Sequence, residues 1–539
     1  MLVFAWLAPG QNQLARPDGI PVHDPLVTAK CGGCHVPDAQ GNLQRISWVR
    51  GTPEAWEEAL KRMIRRNGLM LTPPEARQII EYLGTYHGLA PEEAVKVKYF
   101  AERRAQEESN FPSEAVRRAC TNCHPFARAL SWRRSPEEWQ QLSNLHSTLY
   151  PDRKGPMLSD EAIAFLTRNA PLHAPEWDSW SAHLGAPKLA GRWLVTAHFP
   201  GHDNYYGEME IESGSNATEF NTRVRLRSAQ DGSVLNRSGH SLIYTGYAWR
   251  GRSQSETAGG TAPDDPSAEM REVLWFSPDQ SSAEGRWYWG SYQEFGMEVR
   301  LRRDRGTPAL LGIQPSSLKT GSQGKRVRLT GDHLPAELSP GLDLGPGVTV
   351  RRVVSHASNE VIAEVDVASE AVLGKHDVSA GGAALPGVLA VYDRVDYIKI
   401  VPESAVVQFG DEARSRSYQQ FEAIGWQRGA DGISHTADDV ELGPIDVTWS
   451  IEEFSWAPGG SKPEVGVLSP TGLFLPATVS PKNNYDLWMV ATARNDKDSR
   501  DRPLVGKSYL VVSVPEYTLN GRHYVRELGR WVEDGAAPR

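Results

Sequence analysis

The chain has 539 residues, 40% hydrophobic and 23% charged, with 58 Lys and Arg against 67 Asp and Glu and a net charge of −9. At roughly 100–200 residues per domain, this length predicts about three to five domains. The mild acidity, with no Lys/Arg-rich run to offset it, argues against nucleic acid as a partner, and no apolar stretch reaches the roughly 18 residues that a membrane-spanning helix needs.

In chain order, residues 1–20 open with MLVFAWLAPGQNQLA, an apolar run ending in small residues. It predicts a signal peptide and export, or a disordered N-terminus. From about residue 24 to 170 the pattern is helical. Thr52-Pro53-Glu54 opens a run through Trp56, Leu60, Met63 and Ile64, and Thr72-Pro73-Pro74-Glu75 opens another through Ile79, Ile80 and Leu83. Each start pairs a hydroxyl cap with proline in the first turn and a carboxylate near the positive helix end. A third helix is expected from Pro91 to about Glu108, and the pattern then recurs at Ser135-Pro136-Glu137 and Ser159-Asp160-Glu161.

Past residue 185 the helical period gives way to short alternating strands bounded by Gly, Asn, Asp and Pro. The fold class expected is therefore multidomain α plus β. A mostly helical domain (21–175) precedes an antiparallel β-barrel domain (186–307), two immunoglobulin-like β-sandwich domains (308–395 and 396–517) and a C-terminal tail (518–539).

All 4 cysteines fall in two motifs, Cys31-Gly-Gly-Cys34-His35 and Cys120-Thr-Asn-Cys123-His124. In Cys-x-x-Cys-His two thiols can add across the two vinyl groups of one haem while the adjacent histidine reaches the iron, so the spacing reads as covalent attachment of two haems c and residues 21–175 as a dihaem cytochrome c domain. A zinc site would need four converging ligands, and each motif supplies at most three. A thioredoxin-like site would need a βαβ context, which is missing. His35 and His124 are then the fifth ligands. Laying the halves over each other matches the run from Thr52 through Trp56 to Met63 with the run from Ser135 through Trp139 to His146. Two helical turns separate tryptophan and ligand in both, so each pair shares one helix face. Met63 and His146 are the expected sixth ligands, with Met70 and Met157 as alternatives. A thioether favours Fe(II), so the His/Met haem should have the higher potential.

His87, His173 and His183 read as surface histidines. Gly201-His202-Asp203 and the Asp431 to Asp439 segment read as surface turns, the second lacking the spacing and closing Glu of an EF-hand. The ridge of Lys61, Arg62, Arg65 and Arg66 reads as a solvated helix face. The β half offers no catalytic residue.

These motifs, together with Leu71-Thr-Pro-Pro-Glu-Ala-Arg-Gln-Ile-Ile-Glu-Tyr-Leu83, His87-Gly-Leu-Ala-Pro91 and Tyr150-Pro151, resemble the α subunit of quinohemoprotein amine dehydrogenase. The resemblance implies a periplasmic αβγ heterotrimer that deaminates primary amines oxidatively. In it a propeller-type β subunit accompanies a small γ subunit bearing cysteine tryptophylquinone, and the α subunit is the dihaem conduit. It also implies that this chain passes electrons to a soluble blue copper protein or cytochrome c and does not itself attack the amine. A stand-alone dihaem cytochrome whose β domains bind another partner or a surface polymer is the alternative reading. A self-sufficient haem peroxidase would need an open iron site, against which two placed sixth ligands argue.

Overall fold

The computed structural model describes residues 18–533 except 105, 107, 109–110, 122, 150–157, 258, 339–340, 412–413, 455–464, 479–482, 515–521 and 526–529. The signal-peptide reading of 1–20 falls almost wholly outside the described residues, as does Met157. The chain divides into two units, residues 1–187 with 243–248, and residues 188–242 with 249–539. Among the described residues no helix is long and apolar enough to cross a membrane.

The first unit is helical and built as a duplication. Its elements are α1 (Pro25–Cys31), β1 (Val49–Gly51), α2 (Pro53–Asn67), α3 (Pro73–Tyr86), α4 (Pro91–Ala94), α5 (Lys98–Ala101), α6 (Glu114–Thr121), α7 (Phe126–Leu130), β2 (Trp132–Arg134), α8 (Pro136–Leu149), α9 (Asp160–Asn169) and α10 (Pro175–Ser181). The caps fall where the hydroxyls placed them. Thr52 accepts from Ala55 N, Thr72 forms a full capping box with Glu75, Ser135 accepts from Glu138 N and Ser159 from Ala162 N. Gly68, at φ 71°, closes α2 by turning its N–H onto the Met63 carbonyl, a left-handed cap open to glycine without strain.

The third predicted helix is broken. The segment from Pro91 forms one α turn, a 3₁₀ turn over Val95–Val97 and a second short turn ending at Ala101, after which Arg103 takes φ 52°. Glu93, Ala94, Val97 and Ala101 are buried along it, and Glu93 is tied to two arginines.

Those arginines join the halves. β1 and β2 pair antiparallel with Arg50 opposite Arg133. The Arg50 guanidinium, fully buried, donates to Glu93 Oε2 at 2.8 Å and Oε1 at 2.9 Å, to the Leu172 carbonyl at 2.6 Å and to the Gly88 carbonyl at 2.9 Å. Arg133 donates to Glu93 Oε1 at 3.0 Å and to the Leu130 and Trp132 carbonyls. Burial alone would push the Glu93 carboxyl up, but the hydrogen bonds and charges of the two arginines outweigh it and hold it below its usual value.

The second unit is all β. Eight strands, β3 (Gly191–Phe199), β4 (Asp203–Ser213), β5 (Glu219–Ser228), β6 (Val234–Tyr244), β7 (Ala248–Ser255), β8 (Met270–Phe276), β9 (Ser282–Trp289) and β10 (Phe295–Arg303), form a closed barrel sealed by β3 against β10. β5 shows why: Phe220, Thr222, Val224, Leu226 and Ser228 are buried while the alternating Asn221, Arg223, Arg225 and Arg227 are exposed. Trp193, Trp249, Trp287 and Phe295 fill the lumen. Beyond the barrel, a four-stranded and a three-stranded sheet enclose a core of Val327, Leu329, Val361, Leu389 and Val391. Further sheets of three, four and three strands enclose Phe409, Phe421, Phe474, Met489 and Leu510. The chain is thus multidomain, with a helical N-terminal part followed by a barrel and several sheets.

Because Glu93 is the shared partner of two buried guanidiniums, Glu93→Gln should leave an uncompensated buried charge and destabilise the helical unit by about 3–5 kcal/mol. Urea denaturation of the full chain, followed at the helical far-UV signal, measures it. A loss below about 1 kcal/mol would contradict the role assigned to the cluster.

Candidate functional site

The first Cys-x-x-Cys-His lies where α1 ends. Asp24 caps the start of α1 by accepting from Val27 N, and seven residues later the helix stops at Cys31, whose carbonyl accepts from Cys34 N at 3.1 Å and His35 N at 2.8 Å. The chain therefore folds back on the helix end and brings Cys31, Cys34 and His35 into one tight turn. Cys31 is buried against Trp56, Leu60 and Ile79, while Cys34 is exposed. The second motif repeats this at the end of α6, with Cys120 buried against Val116 and Ala162 and Cys123 exposed.

Both thiol pairs are free, and burial pushes Cys31 and Cys120 up to about 11. That is the opposite of the depressed thiol that dithiol exchange or nucleophilic catalysis requires. The imidazoles are in the state a metal ligand needs. His35 Nδ1 donates to the Gln44 carbonyl at 2.8 Å and His124 Nδ1 to the Pro125 carbonyl at 3.0 Å, which fixes the tautomer and leaves Nε2 as the coordinating nitrogen. Burial also lowers the His124 pKa, favouring the neutral ring. Half-buried apolar side chains stand around both turns, Leu69, Leu71, Ala76, Ile80 and Tyr82 at the first and Ala119, Phe126 and Phe165 at the second. A buried thiol held neutral, a second exposed thiol, one oriented imidazole and an apolar wall suit a covalently held porphyrin, so the residues present fit a haem.

The duplication extends to the tryptophans. Trp56 Nε1 donates to the His87 carbonyl at 3.0 Å and Trp139 Nε1 to the Ala170 carbonyl at 3.2 Å, each spanning 31 residues. Each acceptor is the C-cap of the helix that follows, α3 or α9. The Gly51 and Arg134 N–H groups reach the same two carbonyls. Met63 and His146 thus occupy matched places on α2 and α8. Met63 is half-buried, and its sulfur accepts from Asn67 Nδ2 at 3.5 Å. Met70, its alternative, is 85% exposed. His146 is half-buried, its Nδ1 held by the Leu142 carbonyl at 2.8 Å, and its charge acts directly on His124. The structure thereby brings His124 and His146 together.

One helix borders both sites. α2 carries Met63 and also Glu58, which pairs at 2.5 Å with Arg128, and both of those charges act on His124. Arg62, read from the sequence as part of a solvated ridge, is half-buried. The sequence reading also missed Arg50, Arg133 and Arg134. The signal was available, since Arg50-Gly-Thr-Pro and Arg133-Arg-Ser-Pro stand at equivalent places ahead of the two capped helices.

Other clusters resolve into structural roles. Asp304, Asp332 and His333 bring ligand atoms within 4.8 Å, but Arg192 already bonds both carboxylates at 2.5 Å. His202 stacks on Phe199 with centroids 4.0 Å apart and pairs with Asp264 at 3.1 Å, while Asp203 accepts from Gln230 N. Asp439 and Asp431 accept from backbone N–H groups of their own loop.

Four family models match the chain: quinohemoprotein amine dehydrogenase A, alpha subunit, haem binding, over residues 22–160; alpha subunit domain II over 186–304; domain III over 307–393; and domain IV over 398–521. No curated protein matches. Among solved structures, a de novo designed fluorescence-activating β-barrel is 20% identical with a TM-score of 0.17, covering 21% of this chain and 93% of its own. A SusE-like surface-located polysaccharide-binding protein from the Bacteroides thetaiotaomicron heparin utilisation locus is 9% identical with a TM-score of 0.14, covering 61% of this chain and 68% of its own. Drosophila N-cadherin EC1-4 is 10% identical with a TM-score of 0.14, covering 59% and 92%.

His87, expected at the surface, is completely buried beside Trp56 and Tyr82, and neither ring nitrogen has a hydrogen-bond partner of good geometry among the described residues. Its backbone explains the burial, because the carbonyl that receives Trp56 must lie in the core. Burial lowers the ring pKa to about 4. An unfolded histidine titrates near 6.5, so the unfolded chain takes up this proton first. The stability associated with the neutral ring is full above about pH 6.5 and is lost as pH falls through about 4, a change of about 3 kcal/mol. His87→Leu should flatten that part of the pH–stability curve; an equally steep curve in the variant would contradict the assignment.

Proposed function

Since the chain belongs to the quinohemoprotein amine dehydrogenase alpha-subunit family, we propose that it is the dihaem electron conduit of such an enzyme. The observation that carries the reading is the duplicated half-module, in which each copy ends a helix on a buried cysteine, adds an exposed cysteine and an oriented histidine, and sets a second ligand-capable residue two turns past a buried tryptophan. Cys31 and Cys34 would hold one haem with His35 and Met63 at its iron, and Cys120 and Cys123 the other with His124 and His146. The haems supply reversible one-electron storage at iron. The chain's residues do the rest: thiols tether, Nδ1 hydrogen bonds orient the imidazoles, and apolar walls exclude water.

Two features support transfer rather than catalysis in this chain. On this reading Met63 and His146 each supply a sixth ligand, so neither iron needs to be open to substrate. α2 borders both sites, which keeps them adjacent for electron passage. On this reading the amine is oxidised by the cysteine tryptophylquinone of a small γ subunit. A propeller-type β subunit completes a periplasmic heterotrimer, and a blue copper protein or cytochrome c receives the electrons. The barrel and the two sheet assemblies beyond it, read as immunoglobulin-like sandwiches, serve as scaffold and docking surface.

Potentiometric titration of the full chain should show two one-electron steps, the upper from the His/Met haem and the lower from the bis-His haem. A single step, or none, would overturn the dihaem reading. His146→Ala should leave both haems attached and convert the bis-His haem from low to high spin. An unchanged spectrum would move the ligand to Met157.

A further inference from the structure

Among the described residues of the helical unit, Arg134 is a buried guanidinium without an ion pair of its own. Arg134 is 7% exposed, with its guanidinium carbon 4.7 Å from the Trp132 ring centroid and 5.5 Å from that of Trp139. Its Nε has no hydrogen-bond partner among the described residues. Its neighbour Arg133 is satisfied by Glu93 and two carbonyls, which makes Arg134 the exception on its own strand. The charged groups that act on Arg134 are Arg45, Arg62 and Glu138. Glu138 already pairs with Arg45 at 3.1 Å. Around Arg134, then, Arg45 and Arg62 add positive charge and Glu138 opposes it, while Glu58, the carboxylate that acts on Arg62, is paired with Arg128. Stacking on indole rings offsets part of the desolvation, but an unpaired buried cation still costs several kcal/mol, and burial drags the Arg134 pKa down to about 10.

The surroundings say where the missing anion comes from. Arg45 directly follows Gln44, whose carbonyl orients His35, and Arg62 directly precedes Met63. Trp139 opens the face of α8 that leads to His146. Arg134 stacks on Trp132, whose ring centroid is 5.2 Å from that of Trp56 and which packs both against the core that holds Cys31 and against the core around Trp139. Each haem carries two propionates, the only carboxylates it brings, and a guanidinium fork matches a carboxylate in geometry and charge.

Resting on the dihaem reading above, we propose that Arg134, with Arg62 beside it, holds a propionate of the haem attached at Cys31 and Cys34. The pairing keeps that propionate ionised, and the buried positive charge favours Fe(II) over Fe(III), raising the potential of the His/Met haem. Arg134 is a positioning residue: it binds the edge of the cofactor and leaves the iron to His35 and Met63.

The test uses the haem-loaded full chain, wild type beside Arg134→Gln, Arg134→Lys and Arg62→Gln. Intact mass first counts the haems on each protein, and spectropotentiometry then follows each haem between pH 5 and pH 9. In wild type the upper potential should be nearly independent of pH. In Arg134→Gln it should fall by about a tenfold change in the oxidised-to-reduced ratio, which is 59 mV for one electron. It should also gain a pH dependence as the propionate begins to titrate near neutrality. Arg134→Lys should restore most of both properties. Arg62→Gln, at a half-buried position that tolerates the change better, should give a smaller shift of the same sign, and it decides the matter if Arg134→Gln does not accumulate. Two haems attached with both potentials and their pH profiles unchanged would overturn the propionate role while leaving the dihaem reading intact. A shift confined to the lower-potential haem would overturn the assignment to the Cys31/Cys34 haem. A wild-type chain without covalent haem would instead overturn the reading on which the proposal stands.

Discussion

The helical unit depends on one shared carboxylate. Glu93 receives Arg50 from one half of the duplication and Arg133 from the other, across the short β1/β2 pair where the two arginines stand opposite each other. A charge pair buried this deeply contributes little net stability over an apolar replacement, but it admits one register only. Shifting β1 against β2 by a single residue would strand both guanidiniums. Through that register the capped starts of α2 and α8 are set in equivalent places, and with them the two tryptophans, Met63 and His146.

A burial conflict on each tryptophan carries the arrangement outward. Trp56 and Trp139 need a partner for their indole N–H in an apolar core, and each finds it in the carbonyl that ends the next helix. Each helix pair is thereby closed by one hydrogen bond of equal span, and the ligand-capable side chain two turns further on is left at the half-buried rim. The β unit has a different logic. Its barrel is made by strict alternation and closed by tryptophan packing, and its buried Arg237 is satisfied by Ser253 and by the Pro266 and Ala268 carbonyls. These contacts support a rigid scaffold.

Much of the local structure was legible in the residues. Hydroxyl, proline and carboxylate marked the helix starts, and the spacing of Cys31, Cys34 and His35 and of Cys120, Cys123 and His124 marked the two turns. Alternation in segments such as 219–228 marked the barrel. What escaped depends on partners remote in sequence. His87 looked like a helix-end histidine, and only the long-range demand of the Trp56 indole places it in the core. Arg62 looked like one of four solvated basic residues, and only its position against Arg134 separates it from them. The Arg50 and Arg133 pair could have been found by extending the internal alignment a few residues upstream of the caps. That the Pro91 segment breaks could not, since helix propensity along it is ordinary.

The account makes this chain a conduit whose electrons originate outside it, and the most direct measurement follows that flow. The chain is purified under mild conditions from its native host together with whatever accompanies it, and a primary amine such as butylamine is mixed with the ferric protein while the haem spectrum is recorded. The account predicts reduction of both haems by the amine in a complex that contains a propeller-sized subunit and a small quinone-staining subunit, and no reduction by amine of the isolated chain. Haems that ignore the amine in the intact complex, or reduction by amine of the chain alone, would contradict it.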